Sequence, residues 1–316
     1  MDQFRLLWLF AIFYVASVVV GIGYSNKVGD GKSWMSYWNS TLPKSPLPSK
    51  AVQQLLNLAE GERSYSGIGK DSVSGRGCVC FSCYGGGCTE EVKVKPGLTT
   101  YFQEKDLQHL GKTVTLQFLK PTDNNATLLP RKVVKSIPFS SNKLPEILIY
   151  FGVKPMSAVA EIMKSTIEEC EAPAIKGEDK YCATSLESLI DFTVSKLGKY
   201  IQVYATEAEN NNENKQEYGI EITGVQSIGD SSVVCHKESY VYGVFYCHKF
   251  NNTRAYMVPL VGADGVAKVK ALVVCHTDTT SWNPKHLAFQ VLKIKPGNTI
   301  AVCHFLATAG LLWVPM

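Results

Sequence analysis

Four Cys-His dipeptides occupy the last third of this 316-residue chain: Cys235-His236, Cys247-His248, Cys275-His276 and Cys303-His304. Intervals of 10, 26 and 26 residues separate them. A composition of 10 Cys and 6 His gives far fewer such dipeptides by chance, and only His109 and His286 lie outside the pattern. In a β-strand adjacent side chains point to opposite faces, so a Cys-His dipeptide does not easily aim both residues at one ion. The natural division puts the cysteines on one face, paired in two disulfides, and the histidines on the other. Four converging imidazoles without thiolate favour Cu(II) or another borderline metal over Ca²⁺ or Mg²⁺. A Cys/His zinc site that braces the sheet is the competing structural reading. Two disulfides with unrelated histidines are a third. Connectivity stays open, because four cysteines permit three pairings.

Composition sets the frame in which these residues must be positioned. The chain is long enough for one large or two modest domains. Its 45% hydrophobic and 19% charged residues are the balance of a globular protein. A net charge of +4 gives no electrostatic footprint for nucleic acid. Met1 to Arg5 precede an uncharged apolar run from Leu6 to about Ile22, and Gly21-Ile22-Gly23 offers a small-x-small cleavage site. Residues 1–23 therefore read as a secretory signal peptide, with an uncleaved anchor as the alternative. After cleavage no membrane partner is expected. In an oxidising compartment the cysteines are expected as disulfides. Three glycosylation sequons, at Asn39, Asn125 and Asn251, fit that route.

Residues 24–61 read as a leader, loop-like from Gly29 to Pro48. A short helix follows, with Ser49 as its cap and Val52, Leu55, Leu56 and Ala59 as a docking face. Residues 62–98 read as a Gly/Ser/Cys-rich linker. Cys78, Cys80, Cys83 and Cys88 crowd together there, as local disulfides or as a zinc knuckle. Residues 99–316 form the main domain. Val114, Leu116 and Phe118 alternate as in a half-buried strand, and Glu146 to Val153 reads as a buried strand. Val159, Ile162, Met163 and Ile167 predict a helix from Met156 to about Glu168. A second helix opens on a capping box at Thr184 to Glu187, buries Leu186, Leu189 and Ile190, and stops at Gly198. Cys170 and Cys182 bracket a charged loop, and their pairing is worth about 3 kcal/mol in the chain-entropy model. Beyond a polar turn at Asn210 to Asn214, runs rich in Val, Tyr, Phe and Ile predict an antiparallel sheet carrying the Cys-His pairs. The fold class is α+β: a helical N-terminal part of the domain, then a mainly antiparallel β half.

The spacing of the four Cys-His pairs resembles the signature of the BURP domain, a plant-specific family. Tyr101 to Leu107 resembles the domain's opening, and Glu169-Cys170-Glu171 with Tyr181 to Ser188 resembles its centre. Cys303-His304-Phe305 with Leu312 to Pro315 resembles its close. The likeness covers about Thr99 to Met316. Tyr37-Trp38 and Leu42-Pro43 resemble the short leader of the seed-protein-like members.

That resemblance implies two kinds of function. Some members are copper-dependent peptide cyclases, which oxidise a Tyr or Trp side chain and join it to a nearby residue of a core peptide, in cis or in trans. Carried over, His236, His248, His276 and His304 would be copper ligands and catalytic residues. Cys235, Cys247, Cys275 and Cys303 would be structural or site-adjacent. Bonds to unactivated side chains need one-electron oxidation, which ordinary side chains do not supply and copper does. Other members are secreted seed, cell-wall or stress-associated proteins, for which a cell-wall polymer is the implied partner and the wall or vacuole the implied location. No repeated core peptide ending in Trp or Tyr is visible. Tyr65 and Tyr84, in the Gly/Ser/Cys-rich stretch, are the candidate cross-linked residues.

Overall fold

The computed structural model describes residues 34–56, 101–108, 113–116, 118, 126–208 and 216–316. The expected signal peptide, Tyr65, Tyr84, the Cys78–Cys88 cluster, His109, Asn125 and the turn at 210–214 lie outside the described residues.

Helices come early and strands dominate late. The helices are α1 (Trp34–Thr41), α2 (Lys50–Leu55), α3 (Arg131–Val134), α4 (Leu144–Tyr150), α5 (Ala158–Glu171), α6 (Leu186–Leu197) and the late α7 (Leu287–Leu292). One sheet runs β1 (Tyr101–Gln103), β12 (Val302–Phe305), β11 (Lys268–His276), β10 (Thr253–Gly262), β6 (Gln216–Ile220) and β2 (Thr113–Leu116). In the same sheet β5 (Glu207–Ala208) pairs β11 and β7 (Gln226–Gly229) pairs β10. The second sheet runs β3 (Glu178–Ala183), β9 (Val244–Phe250), β8 (Val233–Glu238), β13 (Gly310–Pro315) and β4 (Ile201–Ala205). The strand pairs are antiparallel. The single sheet expected from the β runs is therefore two sheets. They face each other through Val234, Leu312 and Val314 on one side and Ala255, Leu272 and Val274 on the other.

The outer faces are covered by different material. Outside the second sheet lie α1, α2 and α6, whose Trp38, Val52, Leu55, Leu189 and Ile190 share a core with Ile201, Leu311 and Trp313. The docking face expected for α2 is buried there. Gly29 to Pro48 does not remain a loop throughout, because Trp34, Tyr37 and Trp38 recur at helical spacing and turn onto this core as α1. Trp38 is 0% exposed and stacks on Trp313 at 5.8 Å.

Three further expectations change. Glu146 to Val153 is not a strand: its first part belongs to α4, which starts with Pro145 in its first turn, where a fixed φ suits a helix. Ile147, Leu148 and Phe151 turn inward while Ile149 is 81% exposed, a helical division of one apolar run. The capping box of α6 sits one residue later than Thr184. Ser185 Oγ accepts from the Ser188 amide and Ser188 Oγ accepts from the Ser185 amide, each at 3.1 Å. Glu187 instead accepts the Arg131 amide. The charged loop before Cys182 closes into β3, tied to the end of α5 by the Cys170–Cys182 disulfide.

Candidate metal centre

Each sheet contributes one antiparallel strand pair with the same plan. On β8 and β9, Cys235 lies directly opposite Cys247 and is bonded to it. On β11 and β12, Cys275 lies opposite Cys303 and is bonded to it. The disulfides face outward, the first into the core under α1, α2 and α6, the second into a cluster with Leu116, Phe118 and Tyr218. One step along each strand the side chain reverses face. His236 and His248 thus come to the inner face of one sheet as diagonal neighbours, and His276 and His304 to that of the other.

The four imidazoles close a ring. Centroid separations are 5.3 Å for His236–His248, 6.3 Å for His248–His276, 5.6 Å for His276–His304 and 6.5 Å for His304–His236. Nε2 of His236 and Nε2 of His248 are 3.1 Å apart. Two cis nitrogens about 2.0 Å from one ion would be separated by roughly 2.8–3.3 Å, so this pair already has a ligand-like spacing. All four rings are buried, and His236, at 8% exposed, is the most accessible.

Electrostatics keeps the ring neutral. Burial, followed by the neighbouring His304, pushes His236 down to about 3. Burial holds His304 at about 4 against a raising contribution from the Phe305 carbonyl. His248 and His276 are held well below the ordinary value, again chiefly by burial and then by the other histidines. Neutral imidazole is the ligating form.

His304 carries the sharpest sign of ligand character. Its Nδ1 donates to the Phe305 carbonyl at 3.3 Å, and its Nε2 is buried without a hydrogen-bond partner. A carbonyl hydrogen-bonded to one ring nitrogen, with the lone pair of the other turned inward, is the usual arrangement of a metal-bound histidine. The four Cys-His cysteines are consumed in disulfides, which removes the thiolates that the zinc alternative needs. Among the described residues no group of three or more His, Cys, Asp or Glu is already spaced to hold an ion. The residues thus fit copper in donor type and convergence, His304 in tautomer as well, and the imidazoles must draw together to enclose it.

Aromatic residues wall the ring. Tyr246 lies 5.6 Å from His248, Phe250 5.1 Å from His276, Trp282 5.1 Å from His276 and Tyr101 6.2 Å from His304. Behind them stands His286, 4.9 Å from Trp282 and 5.7 Å from Tyr101. The Cys-His pattern excluded His286, and only its position between the third and fourth pairs hinted at the site. Of the sequon residues described, Asn39 and Asn251 are exposed.

The BURP domain matches residues 100–315. BURP domain protein RD22 of Arabidopsis thaliana is 48% identical over 222 residues, covering 69% of this chain and 56% of RD22, so the chain spans little more than half the length of that relative. BURP domain-containing protein 5 of Oryza sativa subsp. japonica is 41% identical over 285 residues, covering 88% of this chain and 85% of its own length. Protein RAFTIN 1B of Triticum aestivum is 31% identical over 352 residues, covering 96% and 97%. With residues 100–315 matched, a span that contains all four Cys-His pairs, the chain belongs to the plant BURP-domain family.

Proposed function

We propose that this protein is a secreted, copper-binding BURP-domain protein that oxidatively cross-links Tyr or Trp side chains of a peptide, its own or another's. The observation that carries the reading is the closed ring of four neutral imidazoles, with His304 Nε2 left without a partner in the interior. Bound copper supplies one-electron oxidation at such a site. The chain's own residues do the rest. His236, His248, His276 and His304 bind and orient the ion, the two cross-strand disulfides hold the paired strands in register, and the aromatic wall keeps bulk water out. Oxidised cysteines are consistent with an oxidising compartment, and among the described residues no helix is long and apolar enough to cross a membrane.

Action in cis draws support from Tyr101, which directly faces His304 across β1 and β12. The chain therefore enters the domain beside the imidazole ring, and the stretch holding Tyr65 and Tyr84 lies immediately upstream. The test is to load the purified chain with Cu(II) under oxygen, digest it and map masses. A loss of two hydrogens in a peptide containing Tyr65 or Tyr84, absent in His248→Ala, is the expected result. Copper uptake with every mass unchanged removes action in cis, and no uptake removes the copper reading.

A second reading, a disulfide-braced secreted scaffold that binds a cell-wall polymer, is favoured by the depth of the rings, three of which are only 1–2% exposed. It requires His248→Ala and His276→Ala to leave polymer binding and localisation intact.

A further inference from the structure

We propose that His286 is a fifth histidine of this site that stays off the metal and acts as a positioning residue, presenting Nε2–H while holding Trp282 and Tyr101 against His276 and His304. The inference rests on the copper reading above and adds a role for a side chain outside the Cys-His pattern.

The argument begins with the tautomer. His286 is the N-cap of α7, and its Nδ1 accepts the Ala288 amide at 3.2 Å. A neutral imidazole carries one N–H and one lone pair. With the lone pair on Nδ1 committed to the cap, the hydrogen resides on Nε2, so that nitrogen is a donor and not a ligand. His304 has the opposite arrangement, with Nδ1–H on a carbonyl and the Nε2 lone pair turned inward. Two histidines in one cluster are thus sorted by what their Nδ1 atoms meet.

Its surroundings are built to keep it there. The segment leading to it is pinned by Thr279, whose amide and hydroxyl both donate to the Gly297 carbonyl while its hydroxyl accepts the Gly297 amide. The Trp282 amide donates back to Thr279, and the His286 amide to Asn283. The His286 ring, 5% exposed, then packs between Trp282, Tyr101 and Phe289. Trp282 and Tyr101 in turn touch one ligand imidazole each, His276 at 5.1 Å and His304 at 6.2 Å. His286 therefore reaches the ring of four through the two aromatic side chains that wall it.

The experiment uses the full chain and copper(II) chloride as the probe. Before metal is added, imidazole nitrogen and carbon shifts of His286 should report the Nε2–H tautomer, and an Nδ1–H tautomer overturns the proposal. His286→Asn retains a side-chain acceptor for the Ala288 amide, since Asn is a favoured N-cap, but removes the ring. It should bind the same number of copper ions with the same count of coordinated nitrogens by pulsed EPR, at an affinity about 10–100-fold lower, the usual loss when a supporting residue around ligands is removed. Trp282→Phe should weaken binding in the same way, and the double variant should lose less than the product of the two single losses. One nitrogen fewer in His286→Asn makes His286 a ligand, and an unchanged affinity makes it a bystander; either result refutes the proposal. A wild-type chain that takes up no copper refutes the copper reading itself, and this inference with it.

Discussion

His236 and His248 approach to 3.1 Å between their Nε2 atoms at the inner face of β8 and β9, while the cysteines one residue before them are bonded on the outer face. The disulfide therefore does two things at once: it staples two strands and fixes where two imidazoles emerge. The sheet that holds β11 and β12 repeats the device with Cys275–Cys303 and its histidines.

These two roles are separable by comparing disulfides. Cys235–Cys247 and Cys170–Cys182 both span 12 residues, so each contributes about 3 kcal/mol in the chain-entropy model. Only the first is adjacent to the ring. Replacing either pair by alanines should lower stability by a similar amount in chemical denaturation. Copper affinity should fall at least tenfold for Cys235→Ala/Cys247→Ala and little for Cys170→Ala/Cys182→Ala. Equal affinity losses would remove the link between staple and site.

Acid should destabilise the metal-free protein through the same ring. His236 sits at about 3 in the fold, against an ordinary value near 6.5. Between those values the unfolded chain binds a proton that the folded chain refuses. This contribution is fully present above pH 6.5 and is lost as pH falls toward 3. At pH 5 His236 alone accounts for about 2 kcal/mol. His304 and His286, each held at about 4 chiefly by burial, act in the same direction. Denaturant midpoints at pH 7.5 and pH 5.0 should differ clearly in the wild type, and by less in His236→Ala once its lower baseline stability is subtracted.

The leader should behave as core. Trp38 is fully buried on Trp313, so Trp38→Ala should cost about 3–5 kcal/mol. The Arg131–Asp191 ion pair beside Tyr37 is 33% and 48% exposed, and Arg131→Ala should cost less than about 1 kcal/mol. Thermal unfolding of the two variants decides whether apolar burial or the surface network holds α1 in place. A Trp38→Ala loss as small as that of Arg131→Ala would make the leader a loosely attached strap.

The sequence made the site more legible than the fold around it. Strand alternation alone divides Cys235-His236 and its three counterparts into two rows, because it depends on one local fact about β-geometry. Sheet membership is not local. Nothing in Gly310–Pro315 says that it inserts between β8 and β4, so two facing sheets looked like one. Glu146 to Val153 reads as a strand because a short apolar run lacks enough periods to reveal a helix, and Pro145 is the residue that favours a helix start. Trp34 and Tyr37 read as loop residues because the core their helix packs on, with Trp313, lies far along the chain. His286 stands outside the Cys-His pattern with no signal of a role, because its tautomer is set by a backbone amide, which no residue pattern records.

Copper itself supplies the last prediction. An ion that binds the folded chain and not the unfolded one stabilises it by mass action, about 2.7 kcal/mol at a free concentration 100 times Kd. The ring is drawn from both sheets, His236 and His248 from one, His276 and His304 from the other. Metal should therefore tie the sheets together and raise Tm by several degrees. A chelator should reverse the rise in the wild type. In His276→Ala, which leaves one sheet with a single ligand, the rise should be much reduced, whereas Tyr246→Phe, which keeps the wall beside His248 but drops the hydroxyl bonded to Glu178, should retain it. An equal rise in wild type and His276→Ala would mean that copper binds elsewhere on the chain.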